Sequence, residues 1–217
     1  MYSEHRETFL EVLAERDAAS IVFSGTHQTR NNDCDYRFRP DSDFVYVTGF
    51  NEPECALVLL PHGKGTEESP RTILFLRERD PLMETWNGRR LGIDRAPEAL
   101  GVDLALPIGD LWDCLTDLLI GYSTIIAPTG LDEARDRKLL DVLSSLRNKV
   151  RGGTRAPASI EHPRDTLHEL RLYKNQNEVD LIAKANSITL QAHHAAMALA
   201  ADGRNECELD GEIVGTF

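Results

Sequence analysis

The sequence predicts an α/β fold, and three observations predict it. Short runs rich in β-branched and apolar residues recur along the chain, each bounded by turn formers or charges. Segments of helical periodicity lie between them. A chain of 217 residues buries about 70% of the surface its unfolded form exposes, so no disulfide or metal staple is needed. Strands alternating with helices imply a sheet packed on both faces.

The elements follow in order. "EHRETFLEVLAERDAAS" brings Phe9, Leu10, Val12 and Leu13 close to one helical face, with charges elsewhere. "SIVFSG" (20–25) is a β-branched run closed by glycine, a strand signal, and "FVYVTG" (44–49), "CALVLLP" (55–61), "RTILFLR" (71–77) and "STIIAP" (123–128) repeat it. "LALPIG" (104–109) is a weaker instance. Helical segments are "APEALG" (96–101), "DLWDCLTDLLIG" (110–121) and "LDEARDRKLLDVLSSLRNKV" (131–150). "PHGKGTEESP" (61–70) is polar and rich in turn formers, so an exposed hairpin loop is expected there.

The composition shifts at "RGGTRAPASIEHPRD" (151–165), which lacks apolar periodicity, and strand signals stop beyond it. A long helix follows, with Asn175 placed as its cap, Glu178 placed to return the hydrogen bond, and Gly203 placed to end it. Its apolar stripe runs through Leu181, Ile182, Ala185, Ile188, Ala192, Ala195 and Leu199. Asn205 and Glu208 repeat the capping pattern for a last helix whose apolar face (Leu209, Ile213, Val214) has little after it to pack on. The chain therefore reads as a piece of a longer protein.

With 36 acidic and 24 basic residues the formal net charge is -12. That sign argues against nucleic acid or an anionic membrane as a partner, since phosphate binding rests on Lys and Arg. The four cysteines lie far apart with no C-x-x-C pair, which suits free thiols in a reducing cytosol. The first residues show no signal peptide, and no apolar stretch reaches the roughly 18 to 20 residues of a membrane helix. A soluble, cytoplasmic protein is expected.

Four acids, Asp41, Asp43, Glu52 and Glu54, flank "FVYVTGF". A two-metal site would need them to converge. "P-D-S-D" and "N-E-P-E" are turn chemistry, which favours a turn-and-cap role around a buried strand. His193 and His194 are helix neighbours that diverge by about 100°, so they do not share an ion; one partly buried and one solvated histidine is expected. His168 lies near the domain junction, placed for an interdomain hydrogen bond. No G-x-G-x-x-G, P-loop or G-x-S-x-G motif occurs. "METWNGRRLG" (83–92) sets Trp86 and a tight-turn Asn-Gly pair beside two arginines. It reads either as an aromatic plate beside fixed positive charge or as a β-turn with Trp86 covering a local core; composition favours the β-turn.

"DYRFRPDSDFVYVTGFNEPECALVL", "ILFLRERDPLMETWNGRRLG", "APEALGVDLALPI" and "LHELRLYKNQNEVDLIAKANSIT" together resemble the N-terminal half of bacterial aminopeptidase P (Xaa-Pro aminopeptidase). The last phrase is shared with creatinase, prolidase and other pita-bread relatives. The resemblance implies a mixed-sheet, ribonuclease-H-like N-terminal domain over residues 1–172. It further implies that 173–217 begins a truncated pita-bread catalytic domain. In the family two manganese ions, held by two aspartates, a histidine and two glutamates, activate a water that cleaves before proline. Those ligands fall downstream, so no metal ligand is carried onto this chain and the piece alone is expected to be inactive.

The family's N-terminal domains also support a homo-oligomer, a dimer or tetramer, in which one subunit reaches over its neighbour's active site. The positions matching those that approach substrate are Trp86 and Asp33, and the substrate would be a peptide with proline second. The four acids would then frame a strand and help set subunit contacts. The long helix starts "KNQNE" where the family usually has a proline, and Asp202-Gly203 stands where Pro-Gly is usual. Two alternatives stand beside this reading: a non-catalytic peptide- or protein-binding module, and a prolidase- or creatinase-type enzyme.

Overall fold

The first strand, β1 (Ala18–Phe23), is the pivot of the sheet: it pairs antiparallel with β4 (Ala56–Leu59) and parallel with β7 (Thr124–Ile126). In this computed structural model, which describes residues 1–62, 69–150, 153 and 155–217, β4 also pairs antiparallel with β5 (Thr72–Leu76). β5 pairs parallel with β6 (Leu104–Pro107), and β7 with β8 (Ser159–Glu161). Among the described residues the sheet order is β6-β5-β4-β1-β7-β8, with β4 running against the rest. The sheet is mixed, as expected.

Every residue of β4, β5 and β7 is buried, which a sheet covered on both faces requires. Successive side chains alternate between two cores. Leu57, Leu59, Leu74 and Leu76 join Phe9, Leu10 and Leu13 of α1 (Tyr2–Glu15) on one face. Val58, Ile73 and Phe75 join Leu111, Leu115, Leu139 and Leu143 of α5 (Leu111–Leu118) and α6 (Glu133–Lys149) on the other. The buried hydroxyl of Ser20 donates to the Ile126 carbonyl at 2.9 Å, so β1 carries a polar side chain without an orphaned group.

The run 44–49, read above as a strand, is a helix: α2 spans Ser42–Thr48. Asp41 caps it, its carboxylate accepting the Asp43 N–H at 2.8 Å, and Gly49 stops it with φ 66°. Phe44, Val47 and Thr48 are buried while Val45 and Tyr46 are half-buried, the i, i+3, i+4 pattern of a helix face. The two end signals therefore override the β-branched content. The expected hairpin loop joins the antiparallel neighbours β4 and β5, but its residues 63–68 lie outside the described residues. The 96–101 segment, read as helical, is α4 (Ala96–Leu100).

Three strands carried no strand signal. β2 (Thr29–Asn31) and β3 (Cys34–Asp35) form a small exposed hairpin. β8 lies in the glycine- and proline-rich stretch, with Ser159 and Glu161 exposed and Ile160 half-buried. Edge strands with one inward side chain show almost no hydrophobic period.

The chain divides into two compact units, Met1–Arg171 and Leu172–Phe217. In the first, α7 (Leu167–Leu170) sends Leu167 into the core. His168 Nε2 lies 2.8 Å from Asp43 Oδ2, so the bond expected between domains is made within the first unit instead. The second unit holds α8 (Gln176–Leu199) and α9 (Glu206–Thr216), each opened by a complete capping box at Asn175/Glu178 and Asn205/Glu208. Of the anticipated apolar stripe Ala192 is buried, whereas Leu181 and Ile182 are exposed. His193 and His194 are both exposed, not one buried and one solvated, because Ala192 takes the inward position.

Candidate functional site

"ERDPLMETWNGRRLG" contains a helix where a β-turn was expected. Asp80 accepts the N–H groups of Leu82 at 3.1 Å and Met83 at 3.2 Å, and Pro81 opens α3 (Pro81–Asn87) with its φ already helical. Gly88, at φ 82°, ends it, so Asn87-Gly88 is a helix stop rather than a hairpin turn. The stabilisation is local, since no residue of α3 is buried.

Its apolar side chains consequently face solvent. Trp86 is 85% exposed and Leu82, four residues earlier on the same face, is 81% exposed. Trp86 therefore covers no local core, which corrects the β-turn reading. The opposite side is anchored by ions. Arg79 grips Glu84 through two bonds of 3.0 and 2.8 Å, holding the Glu84 carboxyl below the usual carboxylate range. Arg90 donates to the Glu78 carbonyl at 3.0 Å. Gly92 is required here: a Cβ on it would stand 2.5 Å from Arg79 Cγ, and its φ is 76°. A polar depression of about 310 Å³ opens at this base, between Arg79 and the 91–95 segment.

Asp33, the second position anticipated to face substrate, sits on the turn between β2 and β3, exposed, after Asn32 at φ 49°. The Cys34 thiol points to its carboxylate at 4.0 Å. Asp33 and Trp86 thus stand on two separate exposed elements. Among the described residues no hydrogen bond, ion pair or ring contact joins them.

The four acids do not converge. Asp41 caps α2, and Asp43 is bound by Arg171 and His168. Glu52 accepts the Leu91 N–H at 2.7 Å and pairs with Arg77 at 3.6 Å, which ties the exit of α3 to the body. Glu54 adopts φ 59° and is exposed. Glu52 was thus a fastening for the Trp86 segment that its spacing did not reveal. The signal that could have revealed α3 was Asp80-Pro81, a cap followed by a proline at the first helical position. Among the described residues no three His, Cys, Asp or Glu side chains gather into a metal-sized group, and no helix is long and apolar enough to cross a membrane.

The comparisons with known proteins agree with this architecture. A family model described as aminopeptidase P, N-terminal domain, matches residues 2–126. The Xaa-Pro aminopeptidase of Escherichia coli (strain K12) is 37% identical over 216 residues, covering 100% of this chain and 48% of that relative. The Xaa-Pro aminopeptidase of Haemophilus influenzae is 36% identical, covering 99% of this chain and 46% of the relative. Among solved structures, Pseudomonas aeruginosa aminopeptidase PepP superposes with a TM-score of 0.90 at 35% identity, over 99% of this chain and 48% of that one. Yersinia pestis proline aminopeptidase P II superposes at 0.89 with 38% identity, over 100% and 49%. The chain spans about half the length of the curated relatives it matches. On the match over residues 2–126 and this likeness of sequence and fold, the chain belongs to the aminopeptidase P N-terminal domain family.

Proposed function

We propose that this chain is the N-terminal part of an Xaa-Pro aminopeptidase, a cytoplasmic hydrolase that removes the residue preceding a proline. Its role is to support a homo-oligomer and to gate substrate. The observation that carries the reading is Trp86. A tryptophan 85% exposed on a helix fastened by Glu84, Arg79 and Glu52 is a rigid aromatic plate offered outward, in a chain similar over its whole length to Xaa-Pro aminopeptidases. The apolar side chains of residues that follow the proline in a longer peptide suit such a plate. Asp33 supplies a carboxylate for a peptide's charged amine or N–H groups.

The cofactor in this reading is a pair of manganese ions in the whole enzyme. The described residues of this chain do not fit that pair, since they gather no ligand group. The metal chemistry is assigned to residues outside this sequence, with 173–217 as the opening of the catalytic domain. What the present residues contribute is positioning. The free cysteines suit a reducing compartment.

The test is Trp86→Ala in the full-length enzyme, assayed on peptides of increasing length with proline second. Loss of an aromatic contact worth about 1.5–3 kcal/mol lowers kcat/KM for longer substrates by about tenfold or more. Dipeptides, too short to reach the plate, change little. Equal effects at every length would remove Trp86 from the substrate path.

A further inference from the structure

A second concavity, of about 290 Å³, takes no part in the role proposed above. It opens beyond the last residue of β1 and the end of β6, where α5 and α6 begin. In open α/β sheets the crevice outside the carboxyl ends of the strands is where ligands settle.

Its walls have distinct chemistries. Phe23 and Trp112 stack with centroids 6.2 Å apart and planes 24° from parallel. The Arg135 guanidinium lies 4.7 Å from the Phe23 centroid, and the Lys138 ammonium 5.6 Å from that of Trp112. Among the described residues neither cation forms an ion pair with a carboxylate, whereas Arg16, Arg71, Arg79, Arg155, Arg171 and Arg204 each do. The Arg135 Nε is buried without a hydrogen-bond partner, a donor that lacks its acceptor.

Two carboxylates line the same cleft. Asp132 is occupied in part, accepting the Arg135 N–H at 3.0 Å as the cap of α6. Glu54 is exposed and sits in the left-handed region at φ 59°, its own N–H donating to the Gly25 carbonyl at 2.8 Å. A side-chain-bearing residue in that conformation is strained, and such strain persists only where the surroundings hold it. The cleft thus offers two unpaired cations, an available carboxylate and an aromatic surface together.

An anion alone would leave Glu54 facing it, and a cation alone would meet Arg135 and Lys138. We propose that this cleft binds a zwitterion with an apolar side chain, a free amino acid or a short unblocked peptide. Its carboxylate is received by Arg135 and Lys138, its ammonium by Glu54, and its apolar part by Phe23 and Trp112. The proposal stands on the cleft's own chemistry and is independent of the peptidase reading.

The test uses tryptophan emission from the 217-residue chain carrying Trp86→Phe, which leaves Trp112 as its one tryptophan. Leucine, Ala-Leu, N-acetyl-Ala-Leu and Ala-Leu-amide are titrated in turn. A saturable change is expected with leucine or Ala-Leu, and the tighter of the two identifies the source. Each capped peptide should bind about tenfold more weakly or worse, as loss of a charged hydrogen bond dictates. Arg135→Gln and Lys138→Gln should weaken the uncapped ligand likewise. No saturable change with either zwitterion, equal binding of capped and uncapped peptides, or indifference to both substitutions would overturn the proposal.

Discussion

Arg6 enters the interior of the first unit, 2% exposed, and its charge is met by backbone rather than by a carboxylate. It donates to the carbonyls of Val47 at 2.9 Å, Leu100 at 2.9 Å and Gly101 at 2.6 Å. These are carbonyls at the C-terminal ends of α2 and α4, where a cation is favoured by the helix dipole. Burial lowers its pKa, opposed by the more distant Asp103 and Glu7. Arg6→Leu leaves three acceptors without a donor, so a loss of about 3 kcal/mol or more is expected in denaturant unfolding. Cys55 shows the opposite case of a buried acid. Burial first, then Glu52, pushes its thiol up to about 12. A thiol that ionises more easily unfolded than folded contributes stability below about pH 8.5, and this is lost as pH rises toward 12. The stability of Cys55→Ala should therefore fall less over that window than that of the unsubstituted chain. Iodoacetamide at pH 8 should label the exposed Cys34 and Cys207 in the native protein and leave Cys55 unmodified, read by peptide mass.

At the scale of elements, the short helices show what a sequence conveys and what it hides. β1, β4, β5 and β7 were legible because they are buried on both faces and read as continuous apolar runs. α2 was not, since its seven residues are mostly β-branched or aromatic and its helicity comes from Asp41 and Gly49 at its ends. Gly49 is tested directly: a Cβ there would meet the Tyr2 ring at 2.2 Å, in a backbone at φ 66°. Gly49→Ala should cost about 1–3 kcal/mol, measured by thermal or denaturant unfolding, whereas Gly130→Ala, with open space around it, should cost only the smaller backbone strain. α3 was hidden for another reason. It buries no apolar side chain, so no apolar period announces it, and only Asp80-Pro81 at its start and Gly88 at its end mark it. Asp80→Ala should therefore cost about 1 kcal/mol of local stability and expose the α3 amides to faster hydrogen exchange.

The whole chain presents an acidic surface, net charge -12, and two compact units. The alternation of strands and helices made the fold class legible and the turn-rich loop pointed to the β4–β5 hairpin, yet nothing local specifies that β4 also lies beside β1 and runs against it. Such pairing is settled by long-range burial, which a one-dimensional pattern does not record. The candidate site was legible in part. The residues around Trp86 singled it out while Asp33 was nominated by the resemblance alone, and the fastening of Trp86 by Glu52, Arg79 and Glu84 depends on residues brought together by the fold. The same holds for Asp43, whose partners His168 and Arg171 lie more than a hundred positions away in sequence.

The most direct measurement is release of the N-terminal residue from a peptide with proline second, with manganese present. The assay compares the longer protein that contains these residues with the 217-residue chain by itself. Cleavage by the longer protein, abolished when alanine replaces the proline, and none by the chain alone is the expected outcome. Chelator-sensitive hydrolysis by the chain alone, or no proline-dependent cleavage by the longer protein, would contradict it.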